Sequence, residues 1–401
     1  MPYPWNVLPR EITMFQKKTF QVSDRSRNHN ESADRIISAS LSGKLTAVSF
    51  FSACCIVLLH ANTFYAEASP AAGWIMTFFS KFMTAFAVPM FFAISGFLIA
   101  KKTNSGQENG WFRSAMKKRV RTLLVPYFAW CTVYVFLFLP PVFLKNHLLG
   151  RQLLEGTSLT EPVLSLRNLA YLYGLSFSAT PALRVLWYLR NLFYLCLLTP
   201  ILFPVMRRRR SGLLFLVLTG IVFLLFPDLF PFFDGHGFNL QGLLFFPLGI
   251  YLANYPLNGN DYPVFRRSLP FIWVGLAAFA TWCFRDPGAT FSLSAKARIL
   301  NLCILVGVGS VWSLHDMIPA FGHLNRLPVS NDSFFLYAFH LLVMDMATGS
   351  QTQSFLRSAC HVPELGIYLL RFLIPLALSL LTAEILKRFL PGIYRFLTGG
   401  R

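Results

Sequence analysis

The residue best suited to acid–base chemistry is His60, which ends the apolar run Ser49-Phe-Phe-Ser-Ala-Cys-Cys-Ile-Val-Leu-Leu-His60. Ionisable side chains at membrane depth are costly, so they persist where they face a cavity or a partner. Ser49, Ser52 and Ile56 share a helical face with His60, because eleven residues make three turns to within about 20°. Neutral imidazole, with an unperturbed pKa near 6.5, suits a general base. The pattern indicates the wall of a site; the alternative is a histidine at the water interface or bonded to a neighbouring helix.

Basic residues lead into a second apolar run at Lys117-Lys-Arg-Val-Arg121. Guanidinium groups bind phosphate through paired hydrogen bonds, so Arg119 and Arg121 are candidates for holding a phosphorylated ligand. Lys117 and Lys118 would add to the positive field. The alternative is an anchor that keeps this end of the helix in the cytoplasm.

Three further places carry polar groups within apolar runs. Trp187, Tyr188 and Arg190 open one run; the aromatic pair suits a membrane interface, whereas Arg190 needs a partner or a water-filled cavity. His340 lies inside another run, where a hydrogen bond between helices is the alternative to a site. Ser95 is followed by glycine, a pair that permits close backbone approach and is typical of helix packing.

Composition predicts the elements that must position these residues. The 401 residues are 55% hydrophobic and 13% charged, whereas globular proteins have about 25% charged residues. Several runs approach or exceed the roughly 18 apolar residues that cross a bilayer. We therefore expect an all-α, polytopic membrane protein with about ten transmembrane helices. The predicted spans are 45–63, 74–100, 122–144, 184–206, 211–232, 239–255, 269–284, 297–314, 333–349 and 366–390.

The positive charge is distributed between these spans. The formal net charge is +19, but about 25 of the 36 Lys and Arg residues fall in the segments that are cytoplasmic if the N-terminus is. This pattern predicts cytoplasmic N- and C-termini, with membrane lipid rather than nucleic acid as the partner. Residues 1–43 are polar and aperiodic and are expected to form a cytoplasmic extension of a membrane domain at 44–401. The seven cysteines form no CxxC pair, so no metal site is indicated.

The ordered set of motifs resembles the acyltransferase-3 family of bacterial integral-membrane O-acyltransferases over about residues 44–390. The motifs are Leu58-Leu-His60, Val88-Pro-Met-Phe-Phe-Ala-Ile-Ser-Gly-Phe-Leu98, Arg119-Val-Arg121 with Pro126-Tyr127, Leu186-Trp-Tyr-Leu189 and Tyr337-Ala-Phe-His340. Each is short, and their order along the chain is the more specific signal. The family's first-helix histidine corresponds to His60 and its Arg-x-Arg signature to Arg119 and Arg121.

The resemblance implies transfer of an acetyl or other short acyl group from acyl-CoA to a hydroxyl of a cell-envelope sugar or glycan, in the bacterial inner (cytoplasmic) membrane. Acyl-CoA would be a co-substrate, with no bound cofactor. His60 would be catalytic. Arg119, Arg121, Lys117 and Lys118 would bind the donor. The expected acceptor and cavity residues are Arg190, Trp187, Tyr188, His340 and Ser95.

One position departs from the family pattern. Many members carry an arginine eleven residues before the histidine, and here that position is Ser49. The function of that arginine is either absent from this protein or supplied by Lys44, Arg119 or Arg121.

Two other functions remain open. The first is a transporter or flippase of a lipid-linked saccharide, with His60, Arg190 and His340 as relay or binding groups. The absence of a recognisable repeat and the scarcity of acidic residues in the apolar runs count against it. The second is a catalytically silent family member that acts in envelope assembly. Consumption of an acyl donor separates the enzyme from both.

Overall fold

The computed structural model describes the parts of the chain at residues 38–63, 69–102, 110–150, 152, 159, 165–175, 180–227, 240–256, 263–285, 288 and 290–400. These residues are mostly helical and contain no strand, so the predicted all-α class is confirmed. Residues Gly43–Arg401 form one compact unit. The predicted extension at 1–43 lies, apart from its last few residues, outside the described residues.

We number the α-helices along the chain. The first nine are α1 Ala39–His60, α2 Pro70–Met76, α3 Ala87–Lys102, α4 Trp111–Arg119, α5 Val125–Leu148, α6 Leu166–Leu172, α7 Trp187–Leu197, α8 Thr199–Arg207 and α9 Arg209–Leu225. The remaining eight are α10 Leu240–Asn254, α11 Pro263–Arg285, α12 Leu293–Met317, α13 Pro319–Gly322, α14 Ser333–Ala347, α15 Ser350–Ser358, α16 Glu364–Phe389 and α17 Pro391–Thr398.

Shorter helical segments connect some of these helices. The π-helix Thr77–Met83 continues α2 towards α3, and the π-helix Val120–Leu124 joins α4 to α5. The 3₁₀ turn Arg184–Leu186 leads directly into α7. Two further 3₁₀ turns, His323–Arg326 and Pro328–Asp332, precede α14.

Within the described residues, six helical segments are long and apolar enough to cross a membrane. They are Ala39–His60, Pro70–Lys101, Trp111–Leu148, Pro263–Arg285, Leu293–Met317 and Glu364–Phe389. Arg184–Leu197 and Thr199–Arg207 form a seventh if the pair, bent by 66°, counts as one span. Pro200 follows the bend, where its ring and missing N–H disfavour a continuous helix.

The other three predicted spans are helices of 17, 15 and 15 residues, namely α9, α10 and α14. They are shorter than the roughly 20 residues that a helix needs to cross the hydrocarbon core. The protein is a multi-pass membrane protein, and its described residues contain six or seven candidate spans. Ten spans and cytoplasmic termini stay predictions.

Helices α3 and α10 pack backbone to backbone. A Cβ atom placed on Gly96 would collide with the carbonyl oxygen of Phe246, and one on Gly249 would collide with that of Ala93. Only glycine permits this approach from both helices. The close backbone contact predicted at the Ser95-glycine pair is confirmed.

Helix α14 lies in the protein interior. Ten of its 15 residues are buried, and it packs along α16. The position of α14 brings His340 to the end of α1, where His60 lies.

Candidate functional site

Two histidines from distant parts of the chain meet inside the helical unit. The imidazole rings of His60, at the end of α1, and His340, in α14, have centres 5.4 Å apart and planes inclined by 31°. His340 is 0% exposed, whereas His60 is partly exposed. His60 is therefore the less enclosed of the two histidines.

The hydrogen bonds of His340 fix where its ring proton lies. Its Nδ1 lies 3.1 Å from the carbonyl oxygen of Leu336 and 2.8 Å from that of Tyr337. A carbonyl oxygen only accepts, so Nδ1 carries the hydrogen and Nε2 of the neutral ring keeps its lone pair. This Nε2 is buried and meets no hydrogen-bond partner among the described residues. The alternative for His340 was a hydrogen bond to another helix. Its Nδ1 makes no such bond, because both of its acceptors belong to α14 itself.

Arg371 of α16 holds the ends of both histidine-bearing helices. Its Nε donates to the carbonyl oxygen of Ala61 at 3.1 Å, its Nη2 to that of His60 at 3.3 Å, and its Nη1 to that of Thr348. Carbonyls at a helix C-terminus lack intrahelical partners and carry partial negative charge. Arg371 is 6% exposed, so these contacts are made in the interior. It fixes the end of α1 relative to the end of α14.

Arg371 is a functional candidate that sequence reasoning missed. It lies near the start of the tenth predicted span, 16 residues before the next cation, Lys387. This position was the available signal, since an ionisable group inside an apolar run needs a partner. Its partners are backbone carbonyls of α1 and the α14 end, which the sequence does not identify.

A charged pair lies beside the two imidazoles. Arg184, at the turn before α7, is exposed and interacts electrostatically with His60. Asp345 of α14 interacts with both Arg184 and Arg371. Two guanidinium groups against one carboxylate leave an excess of positive charge near the rings. Such a field stabilises negative charge that develops on a reacting oxygen.

The predicted residues Tyr188 and Ser95 contact each other, and Tyr188 packs against a neighbour of His340 in α14. The Tyr188 hydroxyl is 3.2 Å from Ser95 Oγ, which joins α7 to α3. The Tyr188 ring lies 5.7 Å from the ring of Tyr337, one turn before His340. Tyr188 is 7% exposed and so packs in the interior, not in an aromatic belt at the membrane surface.

Arg190 supports the connection that precedes α7. It is buried, and its Nη1 donates to the carbonyl oxygen of Gly174. The Tyr127 hydroxyl donates to the neighbouring carbonyl of Tyr173 at 2.6 Å. Trp187 is partly exposed and packs against α3.

The predicted donor-binding cations lie on one continuous helical segment. Lys117, Lys118 and Arg119 end α4, and Arg121 follows in the π-helix Val120–Leu124. Arg119 is partly exposed and the other three are exposed. Arg119 also acts electrostatically on Cys196 of α7. Helix α7 thus leads from this cationic segment towards the histidine pair.

Lys44, a candidate substitute for the arginine that Ser49 replaces, is already bound to another side chain. Ser49 is partly exposed on α1. Lys44 Nζ lies 2.8 Å from both carboxylate oxygens of Asp316 and 4.1 Å from the ring centre of Trp312. Because Lys44 is paired with a carboxylate, Arg119 and Arg121 are the better candidates for the missing cation.

Comparison with known proteins identifies one family. The family model for the type-3 acyltransferases, described as an acyltransferase domain, matches residues 45–384, more than four fifths of the chain. The matched range contains both histidines, Arg371 and the cationic segment. No curated protein and no solved structure matches the chain.

Proposed function

The chain belongs to the acyltransferase-3 family and is a membrane acyltransferase, and we propose that it moves an acetyl or other short acyl group from acyl-CoA to a hydroxyl of a cell-envelope sugar or glycan. The location that fits is the bacterial inner membrane. The observation that supports the proposal best is the contact between His60 and His340. A hydroxyl must lose its proton to attack a thioester, and a histidine pair supplies a base with an orienting partner.

His60 is the base in this proposal because it is the less enclosed of the two histidines. The Nε2 lone pair of His340, which has no hydrogen-bond partner in the described part of the chain, accepts a hydrogen bond from one ring nitrogen of His60 when the substrates bind. That bond leaves the lone pair of the other nitrogen to face the acceptor hydroxyl, by the logic of catalytic triads. His340 is thus a positioning residue, and Arg371 holds the ends of both helices in place.

The bond changes follow from these roles. The acceptor oxygen attacks the thioester carbonyl carbon while its proton passes to His60. The carbon–sulfur bond then breaks, and the proton passes from His60 to the departing sulfur. An ester and the CoA thiol result. The excess positive charge from Arg184 and Arg371 stabilises the negative oxygen formed in between.

The substrates approach from two sides. Arg119 and Arg121, with Lys117 and Lys118, hold the phosphates of the CoA donor at the cytoplasmic face. The acceptor glycan reaches His60 from the extracytoplasmic side.

Exposure supports a division among the residues expected at the acceptor site. In this proposal the exposed Arg184 and the partly exposed Trp187 contact the glycan. Tyr188 is buried and bonded to Ser95, and the bond from Arg190 to Gly174 supports a scaffold role for Arg190.

The proposal is tested with purified protein in lipid nanodiscs, radiolabelled acetyl-CoA and a crude envelope-glycan fraction. We expect thioester loss that depends on the glycan, with label appearing in the glycan. Nanodiscs without glycan are the control. Saccharide movement across proteoliposomes with no thioester loss would instead establish a transporter.

A further inference from the structure

The side chain of Asn191 is buried but makes no hydrogen bond to the described residues. Asn191 lies in α7 and is 1% exposed. Neither its Oδ1 nor its Nδ2 meets a hydrogen-bond partner among the described residues. A buried carboxamide that loses its water contacts without gaining others destabilises the protein. Such a group needs a reason, and a bound ligand is one.

Asn191 lies midway between the two ends of the proposed site. Arg184, seven residues before it, interacts with His60, and Cys196, five residues after it, interacts with Arg119. The rise per residue of the 3₁₀ turn and of α7 separates Arg184 from Cys196 by roughly 20 Å. A ligand bound at both ends must pass the middle of α7.

A line of side chains connects the carboxamide to the histidine pair. Asn191 follows Tyr188 by three residues, so the two share a face of α7. The Tyr188 ring lies 5.7 Å from that of Tyr337. Tyr337 precedes His340 by three residues on α14. The unpartnered carboxamide therefore lies on the side of α7 that leads to the reacting groups.

We propose that Asn191 binds the pantetheine arm of the thioester donor; this inference rests on the proposed function. The arm joins the nucleotide phosphates to the thioester and carries two amide groups. An amide and a carboxamide each offer an N–H donor and a carbonyl acceptor, so they pair with one another. Phosphates at Arg119 and a thioester at His60 place these amides beside α7, where Asn191 supplies the matching group.

Two acyl donors distinguish binding of the pantetheine arm from binding of the phosphates. Acetyl-CoA carries the nucleotide phosphates, whereas S-acetylpantetheine has the same amides and thioester without them. Asn191→Leu should raise the KM for both donors about tenfold, as expected for the loss of hydrogen bonds worth about 1.4 kcal/mol. Arg119→Ala combined with Arg121→Ala should raise the KM for acetyl-CoA only.

A control variant and a stability measurement exclude a structural role. Ser379 of α16 is also buried with an unpartnered hydroxyl among the described residues, and Ser379→Ala should leave donor KM unchanged. Asn191→Leu should unfold at a temperature no lower than wild type without ligand, because it removes an unpaired polar group. An unchanged donor KM in Asn191→Leu, or a rise confined to the acceptor KM, would overturn the inference.

Binding of free CoA keeps the inference testable if the proposed function fails. CoA should raise the unfolding temperature of wild type more than that of Asn191→Leu. If wild type transfers no label but shows this difference, the acyl-transfer proposal fails and the pantetheine site stands. If CoA protects both proteins equally, Asn191 does not bind the arm.

Discussion

His60 and His340 are 280 residues apart in the chain, yet their imidazole rings lie 5.4 Å apart. Their surroundings differ in one decisive respect. The backbone carbonyls of α14 occupy Nδ1 of His340 and leave its buried Nε2 as an acceptor, whereas His60 is partly open. In the proposed mechanism His60, the less enclosed of the two, is the base, and His340 orients it.

We expect His340→Ala to lower kcat roughly 10²-fold, at the low end of losses seen when acid–base catalysis is impaired. The donor KM should stay close to wild type, because His340 orients His60 and touches no donor phosphate. His323 is an exposed histidine in the turn His323–Arg326 and gives the matched control, His323→Ala. Full turnover in His340→Ala would show that the pair is not a catalytic unit.

Arg371→Ala should lower both the unfolding temperature and kcat, since it leaves the carbonyls of His60, Ala61 and Thr348 without their common donor. Arg371→Lys should recover only part of the loss, because one ammonium group cannot reproduce the planar fork. Thermal unfolding in nanodiscs measures the first effect.

The control is Arg388→Ala, an exposed cation on the same helix. Equal unfolding temperatures for Arg371→Ala and Arg388→Ala would contradict the role given to Arg371.

The donor-binding role predicts a specific kinetic change. Arg119→Ala combined with Arg121→Ala should raise the KM for acetyl-CoA more than the KM for the glycan, and added salt should weaken donor binding in wild type. The control is Arg209→Ala with Arg210→Ala, an exposed arginine pair at the start of α9. A change confined to the glycan KM would refute the assignment.

The backbone contact between α3 and α10 leaves no room for a methyl group on the glycines that form it. Gly96→Ala should sharply reduce the amount of folded protein, because the new Cβ meets the backbone of Phe246 rather than a movable side chain. Gly275→Ala in α11 is the control, since no atom lies within 4 Å of its added Cβ. Detergent-solubilised, monodisperse protein is the measurement. Equal yields from the two variants would mean that the helices separate at little cost.

The helical class could be predicted because apolar runs identify membrane segments without reference to their packing. Where the helices bend and end could not, since hydropathy does not measure it. Thr199 and Pro200 lie inside a predicted span, yet the helix bends by 66° there. The apolar run at 333–349 forms a helix of only 15 residues, most of them buried by other helices.

The candidate site was predictable in parts but not as an arrangement. His60 and His340 each stand out as ionisable groups in apolar runs. Their contact depends on how α1, α14 and α16 pack, which the sequence pattern does not encode locally. The bonds from Arg371 to the ends of α1 and α14 depend on the same packing and could not be predicted either. The sequence predicts Arg190 as an acceptor or cavity residue, and only the fold reveals its bond to Gly174.

The most direct test of the central claim compares wild type, His60→Ala and His323→Ala in nanodiscs with radiolabelled acetyl-CoA and envelope glycan. We predict label transfer by wild type and His323→Ala, and a loss of about 10²–10⁴-fold or more in His60→Ala, with all three proteins inserted and folded. Near-normal transfer by folded His60→Ala would contradict the account.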